Sequence, residues 1–239
     1  MGVPIERPVL QSLGEGGELK MGLNKAALIE QLLAYVTENK REKMHAVIKN
    51  RIRYITVVLE DLFQEHNASA ALRSCDIFGI QDVHVVEAKY KFKPNSAIAM
   101  GSTKWVDVHH HASIIESINT LKQQGYRIVA TSPHRQSYSL PELPLDQKTA
   151  LIFGSEQTGL SQEALDAADM YVKIPMYGFV ESFNVSVSVA LCLYDVIHRL
   201  HTSSYAWQLS EEEKQDIMLT WITKVSQTAA LLEKEAIKK

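Results

Sequence analysis

Short β-rich runs alternate with helical patterns from residue 54 onward, and this alternation limits the possible fold more than any other feature. The β-rich runs lie at 54–59, 82–87, 126–131, 149–153 and 170–175. Helical patterns separate most of these runs, at 68–78, 112–124 and 161–168. Strand–helix alternation is typical of βαβ units. The sequence therefore predicts an α/β fold, with a mostly parallel sheet and helices on both of its faces.

Residues 184–202 fit two kinds of secondary structure. The string NVSVSV at the start alternates like a strand, whereas the apolar residues of the whole segment fall on one helical face. The length of the segment favours a helix.

Helical patterns also flank the alternating region. Residues 24–39 form an amphipathic pattern with Asn24 as a plausible N-cap, and residues 211–237 form another after the capping box of Ser210 and Glu213. Core packing or a partner helix could each explain the apolar stripe of the second pattern. We expect three parts, namely a leader with a basic helical extension, an α/β domain and a C-terminal helical extension, over residues 1–53, 54–202 and 203–239.

Charge is distributed unevenly along the chain. The formal net charge is −3, yet residues 40–53 contain six Lys or Arg and one Glu, so this stretch carries +5 and the rest carries −8. The weak total argues against a uniformly basic nucleic-acid coat protein but allows a local basic face. A solvated helix face and a phosphate-contacting patch are the two interpretations of the stretch.

The remaining composition excludes several classes of site. Cys75 and Cys192 form no metal-binding or CxxC spacing, which predicts buried, reduced thiols and a cytoplasmic location. No apolar run reaches the roughly 18 residues of a membrane span, so no membrane association is expected. The run His109–His111 lacks supporting carboxylate or Cys ligands, so a surface turn is favoured there and no metal site is predicted.

The first candidate motif opens the helix after the first strand. Asn67 is predicted as an N-cap, and Arg73 follows six residues later, about 120° around an α-helix. Asn67 could be a pure cap, and Arg73 could form an i,i+3 ion pair with Asp76. The alternative is that Arg73 forms part of an anion site.

The second candidate motif is LIFGSEQTGLS at residues 151–161. The predicted strand ends at Gly154, and the next helix begins near Ser161. A glycine-bearing turn between strand and helix lets backbone N–H groups approach a ligand. It is not a P-loop, because no Lys-Ser/Thr pair follows the second glycine. Glu156 in this turn could instead be an ordinary carboxylate at a helix start.

The third candidate motif is the apolar loop at residues 174–184, which ends at Asn184, a good helix N-cap. Its Pro, Met, Gly and aromatic residues suit the adenine and sulfonium of S-adenosylmethionine, although the same composition could belong to a core. Upstream, Trp105 is predicted as a packing anchor, and its neighbour Lys104 could contact phosphate.

Together the three motifs resemble those of the SPOUT-class RNA 2′-O-ribose methyltransferases, over roughly residues 40–225. The order and spacing of N-x-x-x-x-x-R, FGSEQTGLS and IPMYGFVESFNVSVSVAL carry the resemblance. The segment GSTKW, the basic stretch and the C-terminal helix with Trp221 are most similar to the TrmH type, the tRNA (guanosine-18)-2′-O-methyltransferases.

The resemblance implies a C-terminal trefoil knot that holds S-adenosylmethionine, and a homodimer with its active site at the subunit interface. It implies 2′-O-methylation of a ribose in tRNA, guanosine 18 of the D-loop. Methylation of ribosomal RNA or of a tRNA wobble ribose is the nearer alternative. A noncatalytic RNA-binding dimer of the same fold is the more distant one.

The resemblance also implies three sets of site residues. The catalytic set is Asn67, Arg73, Glu156, Ser182 and Asn184. The cofactor-binding set is Thr131, Gly154, Ser155, Glu156, Gln157, Ile174, Met176 and Phe183. The RNA-binding set is Lys40, Arg41, Lys49, Arg51, Arg53, His66 and Lys104. A guanidinium is a poor general base, so we expect the motif-one arginine to hold substrate and stabilise a developing alkoxide.

Overall fold

A computed structural model describes residues 25–132 and 137–238, so the predicted N-cap Asn24 lies outside the described residues. One seven-stranded sheet runs through the protein, every strand pairing is parallel, and the strand order is β3-β2-β1-β6-β4-β7-β5. The strands are β1 (Ile55–Glu60), β2 (Asp82–Val86), β3 (Asp107–His111), β4 (Arg127–Thr131), β5 (Tyr138–Ser139), β6 (Thr149–Phe153) and β7 (Met170–Lys173). All five predicted strands are therefore present.

Helices connect and flank the strands. They are α1 (Lys25–Leu33), α2 (Glu38–Ile48), α3 (Glu65–Ile77), α4 (Ser96–Ala99), α5 (Ile114–Gln123), α6 (Gln162–Ala167), α7 (Val185–His201), α8 (Glu211–Val225) and α9 (Gln227–Lys238). Short 3₁₀ helices occupy Ser102–Lys104 and Leu140–Glu142. Over the described ranges, no helix combines the length and apolar character needed to cross a bilayer.

The sheet is buried on both faces, as a parallel sheet requires. Every residue of β1 is buried, and its side chains alternate between two cores. Val57 and Leu59 join the core under α3 and α7, whereas Val58 joins the core under α5 and α6. The α/β prediction with helices on both faces is confirmed.

The helical segments at the two ends of the described chain pack against each other. Apolar residues of α1, α2, α8 and α9 form a separate cluster that includes Ile217 and Trp221. The Trp221 ring packs edge-on against Trp105 at 5.6 Å, and its Nε1 donates to the Trp105 carbonyl at 3.0 Å. Core packing therefore accounts for the C-terminal stripe, and Trp105 is the predicted anchor.

Both long flanking helices are interrupted. The pattern at 24–39 breaks after Leu33, and that at 211–237 breaks at Ser226, which has extended backbone angles. The Ser226 hydroxyl accepts a hydrogen bond from Ala229 N at 3.2 Å and so starts α9. The predicted capping box of Ser210 and Glu213 is present.

The structure decides two local predictions. Residues 185–201 form a helix, as the length indicated, and the Asn184 side chain caps it by accepting from Ser186 N. The prediction of a surface turn at His109–His111 is wrong, because these residues belong to β3, paired to β2. This strand lies at the sheet edge, where backbone pairing rather than an apolar pattern defines it.

Candidate active site

A chain of side-chain hydrogen bonds joins the three sequence motifs. Asn67 Nδ2 donates to Glu156 Oε1 at 2.6 Å, and Asn184 Nδ2 donates to Asn67 Oδ1 at 3.0 Å. These residues follow β1, β6 and β7, whose carboxyl ends meet at one edge of the sheet. In open α/β sheets this edge is where ligands bind.

Asn67 is free to make these contacts because α3 begins three residues earlier than predicted. The helix starts at Glu65 with Gln64 in the N-cap position, so the prediction of Asn67 as N-cap is wrong. Asn67 lies instead in the first turn, is only 2% exposed, and also donates to Gln64 Oε1 at 3.2 Å. Its oxygen accepts and its nitrogen donates, so both ends of a buried amide are satisfied.

The turn after β6 is tightly folded, and Gly154 permits it. A Cβ at Gly154 would lie 2.1 Å from the Gly159 carbonyl carbon, so no other residue fits without moving backbone. Ser155 N donates to Gly159 O at 3.1 Å, and Gly159 N donates to Ser155 O at 3.0 Å. Gly159 adopts a left-handed φ of 67°, which favours glycine. The turn is thus a rigid wall next to Glu156.

A cavity of about 510 Å³ opens beside this turn, bounded by β4, the turn after β6, the loop after β7 and the start of α7. The residues of the predicted cofactor-binding set all line it: Thr131, Gly154, Ser155, Glu156, Gln157, Ile174, Met176 and Phe183. Ser182 and Glu181 also line it.

The cavity suits an adenosyl sulfonium ligand in size and chemistry. Its volume lies within the range of roughly 300–1,000 Å³ that is usual for small-molecule sites. Ile174, Met176 and Phe183 offer apolar and aromatic surface, while Gln157 and backbone groups of the turn offer polar partners. Thr131 is held in place because its hydroxyl donates to Ile152 O at 2.8 Å. The residues present therefore fit S-adenosylmethionine.

Arg73 does not join the site within this chain. It is exposed on α3, does not line the cavity, and has no side-chain bond to Asn67, Glu156 or Asn184 among the described residues. The alternative of an ion pair with Asp76 is also absent, because Asp76 pairs with a different arginine, Arg51.

The prediction that Arg51 contacts RNA phosphate is wrong. Its side chain is 1% exposed, pairs with Asp76, donates to Ile80 O at 3.0 Å and lies 5.3 Å from the Trp221 ring centroid. A buried arginine with these partners connects α3 and the segment before β2 to α8 and presents no charge to a polyanion. Its position near the end of the basic stretch gave no indication of this burial.

Other members of the basic stretch are divided between structural and exposed positions. Arg53 is flanked by three carboxylates, with Asp82 the nearest at 2.8 Å, and Arg41 donates to Leu33 O at 3.0 Å. Arg53 is partly exposed, so its contact with RNA phosphate stays a prediction, although these carboxylates already surround its charge. The remaining predicted RNA contacts are exposed, namely Lys40, Lys49, His66 and Lys104.

Sequence reasoning missed two supporting groups. The Phe63 backbone N–H donates to Glu156 Oε2 at 3.3 Å, so both carboxylate oxygens are engaged. The Glu60 carboxylate, at the end of β1, accepts from Ser161 N at 3.0 Å, and burial raises its pKa. A carboxylate ending an otherwise apolar strand was the only sequence indication of the Glu60 contact.

Comparison with known proteins places residues 54–194 in the family described as the SpoU rRNA Methylase family. This match covers more than half of the chain. The chain belongs to the SpoU methylase family. The three hydrogen-bonded motifs all lie within the matched residues.

Individual relatives cover most of this SpoU-family chain. A tRNA (guanosine(18)-2′-O)-methyltransferase of Borreliella burgdorferi is 42% identical over 202 residues, which cover 84% of this chain and 93% of the relative. A Thermus thermophilus protein of the same name is 35% identical over 79% of this chain and 98% of its own. The solved A. aeolicus TrmH/SpoU tRNA modifying enzyme is 33% identical, with a TM-score of 0.71 over 78% of this chain and 96% of that one.

Proposed function

We propose that the protein catalyses S-adenosylmethionine-dependent 2′-O-methylation of guanosine 18 in the D-loop of tRNA. One observation carries this proposal. The hydrogen bonds that link Glu156, Asn67 and Asn184 join the three family motifs, and Glu156 lines a cavity that fits an adenosyl sulfonium ligand. The relatives with most of their length matched are named for methylation at this nucleotide.

The cavity residues have two roles in this proposal. Ile174, Met176 and Phe183 would hold the adenine and the methionine chain, and the turn at Ser155–Gln157 would bind polar atoms through its backbone. When bound, S-adenosylmethionine would supply the methyl group of its sulfonium, which passes to the ribose 2′-oxygen as the carbon–sulfur bond breaks, leaving the neutral thioether and releasing the proton of the 2′-hydroxyl.

Asn67, Glu156 and Asn184 act chiefly as positioning residues. Their hydrogen bonds hold the first turn of α3, the turn after β6 and the N-cap of α7 in one fixed arrangement. Glu156 has both oxygens occupied by donors, so it orients backbone and amide groups rather than moving protons. Ser182, exposed at the cavity, is free to bind the ribose.

Arg73 would bind the substrate phosphate and ribose and stabilise the negative charge that develops on the 2′-oxygen. A guanidinium is a poor general base, so the contribution of Arg73 would be electrostatic. Because Arg73 does not line the cavity of its own chain, it would act at the cavity of a second subunit.

A homodimer built on α3 and α7 would bring Arg73 to such a site. These neighbouring helices expose apolar side chains, with Ile77 67% and Tyr194 65% accessible. Ile77 lies four residues after Arg73 and therefore on the same helical face. A second copy that covers this face would bury the exposed apolar surface and enclose Arg73.

The knotted topology and the cellular location are parts of the same proposal. The order β1-β6-β4-β7, in which β6 enters between β1 and β4, supports a C-terminal trefoil knot around the cavity. Cys75 and Cys192 are buried free thiols, which supports a reducing compartment such as the cytoplasm.

Radiolabelled methyl transfer to purified tRNA, followed by mapping of the modified nucleotide, tests the function. The expected product is 2′-O-methylguanosine at position 18. Methylation of a wobble ribose or of ribosomal RNA alone would instead establish the same chemistry on another RNA. Absence of cofactor binding by calorimetry would contradict the enzyme proposal and favour a noncatalytic RNA-binding dimer.

A further inference from the structure

We propose that a surface beside the active site is a stacking platform for an unpaired tRNA base next to the methylated ribose. The platform consists of Phe63, Tyr90, Lys89, Lys91 and Lys93. This inference rests on the proposed function for the identity of the RNA. It assigns RNA contacts outside the three motifs and outside the basic stretch.

Two aromatic rings on the platform are exposed and already paired. The rings of Phe63 and Tyr90 lie 5.0 Å apart at an interplanar angle of 68°, and the residues are 51% and 37% accessible. Packing within the chain would bury such rings more completely. Aromatic faces that remain open provide a surface on which an unstacked base can lie, whatever its identity.

The loop that carries Tyr90 is held rigidly before any ligand arrives. Asp61, in a left-handed conformation with φ 49°, accepts from Lys89 N at 2.7 Å and from Tyr90 N at 3.3 Å. At the other end of the loop, Asn95 N donates to Ser69 Oγ of α3 at 2.7 Å. A preorganised surface loses little conformational entropy on binding.

The side chain of Phe92, in the same loop as Tyr90, points into the protein. The Phe92 ring packs against the main core, and its N–H donates to Glu87 Oε1 at 2.7 Å. The lysines on either side of it are exposed. Lys91 and Lys93 are therefore exposed on the same loop as Tyr90.

The charges of the platform are available to a polyanion. Among the residues that the structure describes, Lys89 and Lys93 have no carboxylate partner, and Lys91 approaches only Glu87, at 3.5 Å. This contrasts with Arg51 and Arg53 of the basic stretch, whose charges are matched by carboxylates. Exposed lysines on the same loop as an exposed aromatic ring are a combination expected at a single-stranded RNA site.

The platform adjoins the active site directly. The Phe63 backbone donates to Glu156, the carboxylate that also holds Asn67. A second, smaller cavity separates Lys89 and Tyr90 from the turn after β6. A ribose placed near Asn67 would therefore have its neighbouring nucleotide within reach of the two rings.

The test measures binding of an unmodified tRNA transcript by Phe63→Ala and Tyr90→Ala, with Tyr90→Phe as the variant that keeps the ring. We expect each alanine variant to raise Kd for tRNA at least about fivefold, and Tyr90→Phe to restore binding. Tyr205→Ala is the matched control, since Tyr205 is 40% exposed away from the site. Thermal unfolding and calorimetric binding of S-adenosylmethionine should be unchanged in the Tyr90 and Tyr205 variants.

The lysines give an independent readout. Lys91→Ala and Lys93→Ala should each reduce the slope of log K against log salt by about 0.7–0.9. Lys148→Ala, which removes an exposed lysine beside the Tyr126 ring, should leave the slope unchanged.

The outcomes separate this inference from the proposed function. If the wild-type protein methylates guanosine 18 while both alanine variants bind tRNA as tightly as the wild type, the platform is overturned and the enzyme proposal stands. If the wild type methylates no tRNA yet Tyr90→Ala weakens binding at least fivefold, the platform stands as an RNA site and the proposed function fails. Loss of tRNA binding in Tyr205→Ala to the same extent would overturn the platform as a distinct site.

Discussion

The side chain of Asn184 donates a hydrogen bond to Asn67 Oδ1 at 3.0 Å, across 117 residues of sequence. Through Asn67 the bond continues to Glu156, so one buried amide links three loops at the carboxyl edge of the sheet. A buried amide with both ends occupied is sensitive to replacement, because each unpaired partner costs about 1–3 kcal/mol. Asn67 is therefore the residue through which the site can be tested most directly.

Asn67→Asp should make the protein sensitive to alkaline pH. The new carboxylate would face Glu156, and like charges at hydrogen-bond distance raise the pKa of the pair. A carboxyl whose folded pKa lies above its unfolded value loses its stabilising contribution as pH rises through the folded value. Urea unfolding should show a deficit of about 1–3 kcal/mol at pH 8 that shrinks toward pH 5.5. The exposed Asn119→Asp should show no such pH dependence, and an equal profile in both variants would contradict the arrangement.

Gly154→Ala should reduce both stability and cofactor affinity. The added Cβ would lie 2.1 Å from the Gly159 carbonyl carbon, so the turn after β6 must open. We expect a loss of stability of about 1–3 kcal/mol by urea unfolding and a Kd for S-adenosylmethionine at least tenfold higher by calorimetry. Gly178→Ala is the stability control, since no atom lies within 4 Å of its Cβ position. Wild-type affinity in Gly154→Ala would contradict the assignment of this wall to the cofactor cavity.

Arg73→Lys should lose most methyl transfer while it keeps cofactor binding and stability. Lysine retains the charge but not the planar, forked donors that hold phosphate and ribose together. Because Arg73 is exposed, unfolding should change by less than about 0.5 kcal/mol. Single-turnover methyl transfer to tRNA is the measurement, and near-wild-type turnover would remove Arg73 from the mechanism.

Mixing two inactive variants tests whether Arg73 acts across a dimer interface. If Arg73 of one subunit serves the cavity of the other, a heterodimer of Arg73→Ala with Ser182→Ala retains one intact site. Equal mixing after dissociation and reassociation should then restore roughly a quarter of wild-type activity, because half of the dimers are mixed. No recovery in a mixture shown to contain heterodimers would place Arg73 and Ser182 in the same subunit's site.

Arg51→Ala and Lys49→Ala should separate stability from RNA binding. Arg51→Ala leaves Asp76 without its partner in a mostly buried setting and should cost about 3–5 kcal/mol. Lys49→Ala should leave stability within about 0.5 kcal/mol and reduce the salt dependence of tRNA binding. Urea unfolding and binding at several salt concentrations distinguish the two. If Lys49→Ala leaves the slope of log K against log salt unchanged, Lys49 does not contact RNA and is an ordinary solvated residue.

His84 should make stability fall between pH 6.5 and pH 4.5. Burial, with His109 and His111 nearby, lowers the pKa of His84 to about 3, although Asp82 opposes this shift. In this pH range the imidazole is protonated in the unfolded chain but stays neutral in the native state. The free energy of unfolding therefore falls as pH drops, by up to about 1.4 kcal/mol per pH unit. His84→Asn should flatten the urea-derived profile in this range. Equal slopes in the variant and the wild type would contradict the buried neutral imidazole.

The pattern of the sequence was sufficient for most of the fold. Period-two apolar runs and intervening helical patterns predicted β1, β2, β4, β6 and β7. The two edge strands, β3 and β5, were missed, and Asp107–His111 of β3 is not apolar and owes its strand character to pairing with β2. Local apolar patterns indicate which side chains are buried, and most side chains of the edge strand β3 are not buried.

Motif spacing predicted correctly which residues line the cavity. Local charge did not predict which basic residues are exposed. The predicted cofactor set lines one cavity because strands of a parallel sheet all end at the same edge. The basic stretch was misleading at Arg51, which the fold buries against Asp76, and it did not indicate that Arg53 pairs with Asp82. Those carboxylates lie 25 and 29 residues away, beyond any local pattern.

The sequence by itself determined an α/β sheet, the three motifs and their place at strand ends, because these depend on local periodicity and chain order. Only the tertiary structure decided that Asn67 is a buried residue hydrogen-bonded to both Glu156 and Asn184 rather than a helix cap. It also decided which basic residues remain available to RNA. Hydrogen bonds and ion pairs require distances of a few ångströms between distant parts of the chain, and sequence spacing does not specify such distances.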